Sequence, residues 1–378
     1  MAGIYIHIPF CKQRCTYCDF YKEIGSTDNQ VDTFTDTLIQ EIQLRKSYLN
    51  GDNIGTVYFG GGTPSVLNFN QFRRIFDEIH HVFNVDNDAE VTMEANPDDL
   101  TDAYLETLSS LPFNRLSIGI QSFNNKHLKI INRRHDAQQA KNAVINARKH
   151  GFQNISIDLI YALPGQTIED WKKQLEEAFN LNVEHISAYG LTYEEGTALW
   201  KQRNKGLVKV TEDEVTLQMF NYMRLKMIEK GFESYEISNY AKPGFRSRHN
   251  SAYWQFVPYL GLGPSAHSFD GKSRQWNIAS VQKYIQSISI LKPSFEKEVL
   301  SEQDFYNDFI MVSLRTSDGI SLADLKNRFG EELFDYCLQN ADNQIKYGNL
   351  ILNNNRLFLS DTGVHIANQV IIELMKTD

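Results

Sequence analysis

The first half of the chain alternates between two kinds of segment, and this alternation limits the possible folds more than any other feature. Runs rich in β-branched residues predict strands at Ile4–Ile8, Thr56–Phe59, Glu90–Glu94, Arg115–Ile120, Ile155–Ile160 and His185–Tyr189. Stretches with helical periodicity lie between them, at Val31–Tyr48, Phe69–Phe83, Ala137–His150 and Ile168–Leu181. Repeated strand–helix units imply parallel strands with right-handed crossovers. We therefore expect an α/β fold whose core is a partial (β/α)6 TIM-type barrel; a doubly wound sheet is the alternative.

The second half of the chain has a different pattern. Its first predicted elements are a helix at Glu212–Lys230, a short strand at Tyr235–Ile237 and a loop-rich stretch at Lys242–Ser273. After about Pro293 the pattern is that of a winged helix, with helices at Asp304–Leu314, Leu322–Phe329 and Val364–Met375 and a hairpin at Leu350–Leu352 and Leu357–Leu359. We expect a core domain at 1–240, a loop-rich connector at 241–292, and a small C-terminal α+β, winged-helix-like domain at 293–378.

Composition and charge argue against several classes of protein. The formal net charge is −9 in 378 residues, so we expect no nucleic-acid partner held by phosphate contacts. The N-terminal residues lack the basic and apolar regions of a secretory signal. No apolar run reaches the roughly 20 residues that span a bilayer. We expect a soluble, cytoplasmic protein, with peripheral contact to a membrane left open.

Three of the four cysteines lie together, directly after the first predicted strand. Cys11, Cys15 and Cys18 share one short loop, whereas Cys337 is remote and lies on an apolar helical face. This spacing lets one loop present three thiolates to an iron–sulfur cubane and leaves the fourth iron open to an exogenous ligand. The alternatives are a zinc site completed by His7 and three unrelated thiols. The motif favours a 4Fe–4S cluster.

Polar and glycine residues mark the ends of the next strands, where a barrel carries its active site. Gly60-Gly61-Gly62-Thr63 ends the second strand, Glu94 ends the third, Gln121 follows the fourth, and Asp158 lies in the fifth. Together they would supply a bare backbone edge, two carboxylates and an amide around one mouth. Taken singly, each has an ordinary interpretation as a turn, a surface acid or a helix cap. Their coincidence favours a ligand site.

The sequence resembles the radical S-adenosylmethionine (SAM) superfamily over nearly its whole length, and within it the group of the oxygen-independent coproporphyrinogen III dehydrogenase. The resemblance is carried by Tyr5-Ile6-His7-Ile8-Pro9-Phe10-Cys11, Gly60-Gly61-Gly62-Thr63-Pro64, Glu94-Ala95-Asn96-Pro97, Ser117-x-Gly119-x-Gln121-Ser122-Phe123, Asn132-Arg133 and Asp158-Leu159-Ile160-Tyr161-x-Leu163-Pro164-Gly165. It implies that the amine and carboxylate of SAM chelate the fourth iron. It also implies SAM contacts from Tyr5, Gly61, Gly62, Thr63, Glu94, Gln121, Arg133 and Asp158.

Two kinds of protein in this group have different functions. The dehydrogenase decarboxylates coproporphyrinogen III through a 5′-deoxyadenosyl radical, whereas the HemW-type haem chaperones bind and deliver haem. The chain resembles the chaperones in three ways. Asp19-Phe20 follows Cys18, where the dehydrogenase pattern has another cysteine two positions on. Because Tyr5 comes almost at the start, we expect the N-terminal extension of the dehydrogenase to be missing. His249-Asn250-Ser251-Ala252-Tyr253-Trp254 matches the chaperone signature His-Asn-x-x-Tyr-Trp.

The last of these motifs suits haem. A neutral imidazole such as that of His249 is a common axial ligand of haem iron, and Tyr253 and Trp254 offer flat apolar faces. One histidine among ten is more often structural, so this role depends on the resemblance; His267 is a second candidate. The resemblance implies a haem chaperone with a 4Fe–4S cluster and exchangeable SAM, whose partners are haem and a haem-acceptor protein. A membrane-associated acceptor and a homodimer stay open, and the alternative function is that of the dehydrogenase.

Overall fold

The computed structural model describes residues 1–377, which are organised around one twelve-stranded sheet. Six parallel core strands lie side by side in sequence order, and they are Ala2–Ile8, Ile54–Gly61, Val85–Ala95, Arg115–Gln121, Asn154–Tyr161 and His185–Gly190. A doubly wound sheet reverses its strand order part-way across, so this order decides for the barrel-type α/β fold. The first and sixth core strands pair with additional strands and not with each other, so the barrel is open.

Helices follow the core strands, and most of them pack against the strands in one hydrophobic cluster. They are Asp28–Leu44, Phe69–Val82, Asp102–Ser109, Asn125–Ile130, Ala137–Lys149, Ile168–Asn180, Ala198–Asn204 and Asp213–Glu229, with 3-10 turns at Pro64–Val66 and Pro97–Asp99. Local sequence fixes where four of them begin, because each starts with a capping box formed by Thr27, Asn68, Asp136 or Thr167. Among residues 1–377, no helix is long and apolar enough to cross a bilayer.

The stretch predicted to be loop-rich contains regular structure. Instead of one strand at Tyr235–Ile237, there are strands at Glu233–Ser234 and Asn239–Ala241, which extend the sheet beyond the sixth core strand. The opposite edge of the sheet is extended by Tyr259–Leu262, His267–Phe269, Ser273–Asn277 and Phe295–Val299, and helices lie at Arg248–Trp254 and Val281–Ser289. The stretch 241–292 therefore holds short strands and helices between its loops. Strands this short, interrupted by Gly and Pro, leave too little periodicity to be recognised in a sequence.

The C-terminal part has a hydrophobic cluster of its own, between Tyr306 and Leu374. Its elements are Glu302–Arg315, Ile320–Ser321, Leu322–Lys346, Leu350–Asn353, Arg356–Leu359, Gly363–Ile366 and Ala367–Leu374. The helix predicted to end at Phe329 continues beyond a break at Gly330, whose φ is 72°. Asn354 and Asn355 make the tight turn of the predicted hairpin, since both have positive φ. The predicted domain boundaries stay predictions, and Asp378 lies outside the described residues.

Candidate functional site

The cysteine loop begins where the first core strand ends. Phe10–Cys11 pairs in parallel with Glu23–Ile24, and the amide of Glu23 donates to the carbonyl of Pro9 at 2.7 Å. These contacts close residues 11–22 into a loop. It lies at the carboxyl end of the parallel strands, which is where barrels of this type carry their chemistry.

Two of the cysteine sulfurs in this loop accept hydrogen bonds from cationic side chains. The sulfur of Cys18 accepts from Lys22 Nζ at 3.0 Å, and the sulfur of Cys15 accepts from Arg133 Nη1 at 3.4 Å. Neither cysteine is in a disulfide. Charged donors make the stronger hydrogen bonds to an anionic acceptor, and thiolates are the protein ligands of iron–sulfur clusters.

The third sulfur has a hydroxyl as its partner. Cys11 Sγ lies 3.3 Å from Thr63 Oγ1, which in turn accepts from Asn96 Nδ2 at 3.2 Å. The Thr63 hydroxyl can donate its hydrogen to a Cys11 thiolate while it accepts from Asn96. Burial raises the pKa of the Cys11 thiol, and the hydrogen bond with Thr63 opposes that rise. Thr63, a predicted SAM contact, thus touches a cluster cysteine directly.

The geometry around His7 argues against the zinc alternative. His7 Nε2 lies 3.1 Å from the Tyr21 carbonyl oxygen and so must donate to it, which leaves Nδ1 to accept from the Tyr5 hydroxyl at 3.2 Å. Both ring nitrogens are therefore occupied. Nor do the residues from 1 to 377 contain a group of three or more His, Cys, Asp or Glu side chains arranged to hold one ion.

The glycines after the second core strand are required by close packing. A Cβ on Gly61 would come within 2.5 Å of the His7 ring, and one on Gly62 within 2.7 Å of the Ile8 carbonyl oxygen. Gly61 also has a φ of 100°, which glycine adopts without strain. This edge of bare backbone can therefore approach both the first core strand and a ligand at the mouth.

Two carboxylates of the barrel interior come close enough to interact. Tyr58 donates a hydrogen bond of 2.7 Å to Glu94 Oε1, and Ser117 Oγ donates one of 3.5 Å to Asp158 Oδ1. Burial raises the pKa of Glu94 to about 7; the Tyr58 hydroxyl opposes this rise and the nearby charge of Asp158 adds to it. Burial also raises the pKa of Asp158. The barrel therefore holds a pair of desolvated acids that a cationic ligand would bring to the ionised state.

Arg133 connects the cysteine loop to the barrel. Besides Cys15, its guanidinium donates to Asn96 Oδ1 and to the Gly119 carbonyl oxygen, while its buried Nε has no partner. Burial lowers the pKa of this guanidinium, whereas its interactions with Tyr17 and Cys15 raise it. The raising contributions together are larger, so the net shift of the pKa is upward. A fixed, permanently charged side chain with a spare donor is suited to binding a carboxylate.

A cavity of about 610 Å³ brings most of the predicted residues together. It is lined by all three motif cysteines and by every predicted SAM contact except Tyr5, that is by Gly61, Gly62, Thr63, Glu94, Gln121, Arg133 and Asp158. Gln121 has a φ of 65°, a strained conformation that often marks a functional position. The sequence analysis missed Lys22, Tyr17 and Tyr189, which also line this cavity; the proximity of the first two to the cysteines was the available signal.

The predicted haem residues do not line one common cavity, although His249 and Tyr253 contact each other. His249 is 2% exposed; its Nδ1 is bonded to Thr56 Oγ1 and its Nε2 to the Tyr253 hydroxyl, each at 2.8 Å. Burial, with a contribution from Arg115, lowers the pKa of His249 to about 3. Tyr253 lines a second cavity of about 430 Å³, together with Tyr5 and His267, whereas Trp254 lines a third of about 240 Å³.

Similarity to known proteins agrees with this arrangement. The model of the radical SAM superfamily matches residues 5–178, and that of the HemN C-terminal domain matches residues 300–366. The heme chaperone HemW of Lactococcus lactis subsp. lactis is 34% identical over 378 residues, covering 99% of this chain and 97% of the relative. The chain belongs to the HemW family of the radical SAM superfamily. Membership of this superfamily implies a 4Fe–4S cluster and SAM.

A second relative and one solved structure extend the comparison. Radical S-adenosyl methionine domain-containing protein 1, mitochondrial, of Danio rerio is 36% identical over 332 residues, which cover 85% of this chain and 74% of that protein. Coproporphyrinogen III oxidase (HemN) of Escherichia coli superposes with a TM-score of 0.86 at 23% identity, covering 99% of this chain and 90% of that one. At this identity the match shows a shared fold.

Proposed function

We propose that this chain is a haem chaperone, which carries a 4Fe–4S cluster with exchangeable SAM, binds haem and passes it to an acceptor protein. The observation that carries the proposal is the pair of neighbouring cavities, one lined by three free thiols and the desolvated acids Glu94 and Asp158 and the other lined chiefly by aromatic side chains. The name of the Lactococcus lactis relative, heme chaperone HemW, supports it. The Phe20 position also supports it, because the dehydrogenase pattern has a cysteine there.

The residues of the larger cavity fit the cluster and SAM chemically. Cys11, Cys15 and Cys18 would supply three thiolates, and the iron without a protein ligand would bind the amine and carboxylate of SAM. Gly61 and Gly62 leave room at the backbone for the methionine moiety.

The charged and amide side chains would orient the rest of the molecule. The Arg133 guanidinium would neutralise a carboxylate and Glu94 a positive charge, while Asp158 and Gln121, which line the same cavity, would bond the ribose hydroxyls.

The first experiment tests the cluster. Wild-type protein and a variant with Cys11, Cys15 and Cys18 replaced by Ala are incubated anaerobically with iron and sulfide, and iron content and cluster spectra are recorded. We expect a cubane signal in the wild type and its loss in the variant. Cys337→Ala is the matched control, because this buried thiol lies in the separate C-terminal cluster, and it is expected to keep the signal. A cluster retained by the triple variant would contradict the proposed site.

The second experiment separates a chaperone from an enzyme. The cluster-loaded protein is charged with haem and mixed with apomyoglobin, and haem transfer is followed by absorbance against haem in buffer. In parallel, reduced protein is incubated anaerobically with SAM and coproporphyrinogen III. We expect transfer of haem and no protoporphyrinogen. Clear formation of protoporphyrinogen would refute the proposal and restore the dehydrogenase alternative.

A further inference from the structure

The 430 Å³ cavity beside the mouth is lined chiefly by aromatic rings, among them Phe20, Tyr253, Phe256, Tyr259 and Phe269. These rings also contact one another: Tyr253 packs edge-on against Tyr259 with centroids 4.6 Å apart, and Tyr259 and Phe269 lie 6.5 Å apart. The volume falls within the roughly 300–1,000 Å³ of typical small-molecule sites. Walls of rigid aromatic faces suit a flat, apolar ligand.

His267 is the histidine lining this cavity whose ring nitrogens are available to ligate a metal. Within residues 1–377, its ring nitrogens make no hydrogen bond, and the ring stacks on Trp276 with centroids 5.9 Å apart. Burial and the charge of Arg274 lower the pKa of this imidazole, so the ring is neutral at neutral pH and carries a lone pair. The other histidine lining the cavity, His7, has both ring nitrogens engaged.

The cavity also offers a partner for negative charge. Arg274 lines it and forms an ion pair with Asp308, which belongs to the C-terminal helix Glu302–Arg315. Arg274 Nη1 also lies 3.9 Å from Glu298 Oε2. A guanidinium has five N–H donors, so Arg274 can engage a further carboxylate alongside Asp308 and Glu298. A planar ligand with an apolar face, a metal at its centre and carboxylates at its rim would meet a suitable group at each of these points.

We propose that haem binds in this cavity, with its iron ligated by a ring nitrogen of His267, its face against Tyr259 and Phe269, and a propionate near Arg274. The inference rests on the proposed function, since it assumes that the chain binds haem, and it adds the place and the iron ligand. It differs from the sequence-based expectation for His249. To reach iron, His249 would have to give up a buried hydrogen bond to Thr56 or Tyr253, which leaves a polar group unpaired.

Haem titration of the cluster-loaded full-length chain tests the inference. Ferric haem is added to wild type, His267→Ala, His249→Ala and His81→Ala, and both the Soret absorbance and the axial-ligand signature in electron paramagnetic resonance are measured. His81 is the matched control, because it is an exposed histidine on the helix Phe69–Val82. Far-UV circular dichroism and iron content show whether each variant is folded and loaded.

We expect His267→Ala to lose the histidine signature and to weaken binding about tenfold or more, and added imidazole to restore the signature. We expect His81→Ala to behave as wild type, and His249→Ala to keep the histidine signature wherever it remains folded. Met311→Trp gives an independent check. Met311 lies on the helix Glu302–Arg315 and lines the cavity, so a tryptophan there would fill the cavity while leaving the imidazole of His267 in place. This variant is expected to weaken haem binding too.

The possible failures are distinguishable. If wild type binds haem and His267→Ala has the same affinity and axial signature, the location is wrong while the chaperone proposal stands. If the histidine signature is lost in His249→Ala and kept in His267→Ala, the sequence-based site is correct. If wild type binds no haem at all, the proposed function itself is refuted, and this inference with it.

Discussion

Replacing Glu94 by Gln should stabilise the protein at high pH while weakening SAM binding. The carboxyl of Glu94 lies in the barrel with Asp158 nearby, and its pKa is raised from 4.5 to about 7, chiefly by burial. A carboxyl with a raised pKa favours the folded state only while it is protonated. The ionised carboxylate of Glu94 therefore destabilises the folded state. We infer that this cost persists because the ligand site uses the negative charge.

The size of the effect follows from the two pKa values of Glu94, 4.5 and about 7. Each tenfold difference in proton affinity corresponds to about 1.4 kcal/mol, so ionising Glu94 should reduce the free energy of unfolding by roughly 3 kcal/mol. The loss begins as the pH rises above the unfolded pKa and is complete above the folded one. A glutamine at this position remains neutral and can still accept the Tyr58 hydrogen bond.

Urea unfolding of ligand-free wild type, Glu94→Gln and Glu106→Gln measures this difference at about pH 5 and about pH 8. Glu106 is an exposed glutamate and serves as the matched control. At the higher pH, the free energy of unfolding of Glu94→Gln should exceed that of wild type by up to roughly 3 kcal/mol. At the lower pH, the two free energies should be nearly equal. Calorimetry with the cluster-loaded proteins should show weaker SAM binding. An equal stability difference at both pH values would refute the reasoning.

Three further changes test other parts of the structure. Gly62→Ala places a methyl group within 2.7 Å of the Ile8 carbonyl oxygen and should cost about 1–3 kcal/mol; an unchanged melting temperature and iron content would contradict the tight packing. Cys337→Ala should cost roughly 1 kcal/mol in thermal unfolding, since the thiol is fully buried, and loss of iron would contradict its purely structural role. Phe20→Ala removes a wall shared by the two cavities, so SAM should change haem affinity less than in wild type; equal coupling by titration would argue against communication through Phe20.

Much of the barrel can be predicted from sequence, since the information is local. The β-branched runs and helical periods gave all six core strands, and the capping residue Thr167 with Asp170 marks where its helix begins. The glycines and Glu94 were expected at strand ends because parallel strands share one carboxyl edge. Gln121 and Asp158 were expected there for the same reason, whereas Arg133 and Tyr5 were implied only by the family resemblance, and Tyr5 lines the neighbouring cavity.

What the sequence determined by itself was the alternation of strands and helices and the spacing of Cys11, Cys15 and Cys18, because both depend on residues close together in the chain. Only the tertiary structure decided that His249 is hydrogen-bonded to Thr56, 193 positions away. It also decided that His267 lines a cavity to which the helix Glu302–Arg315 contributes. Which side chains are engaged and which are free depends on contacts between distant segments. No local period or motif encodes those contacts, so the sequence by itself does not show which histidines have free ring nitrogens.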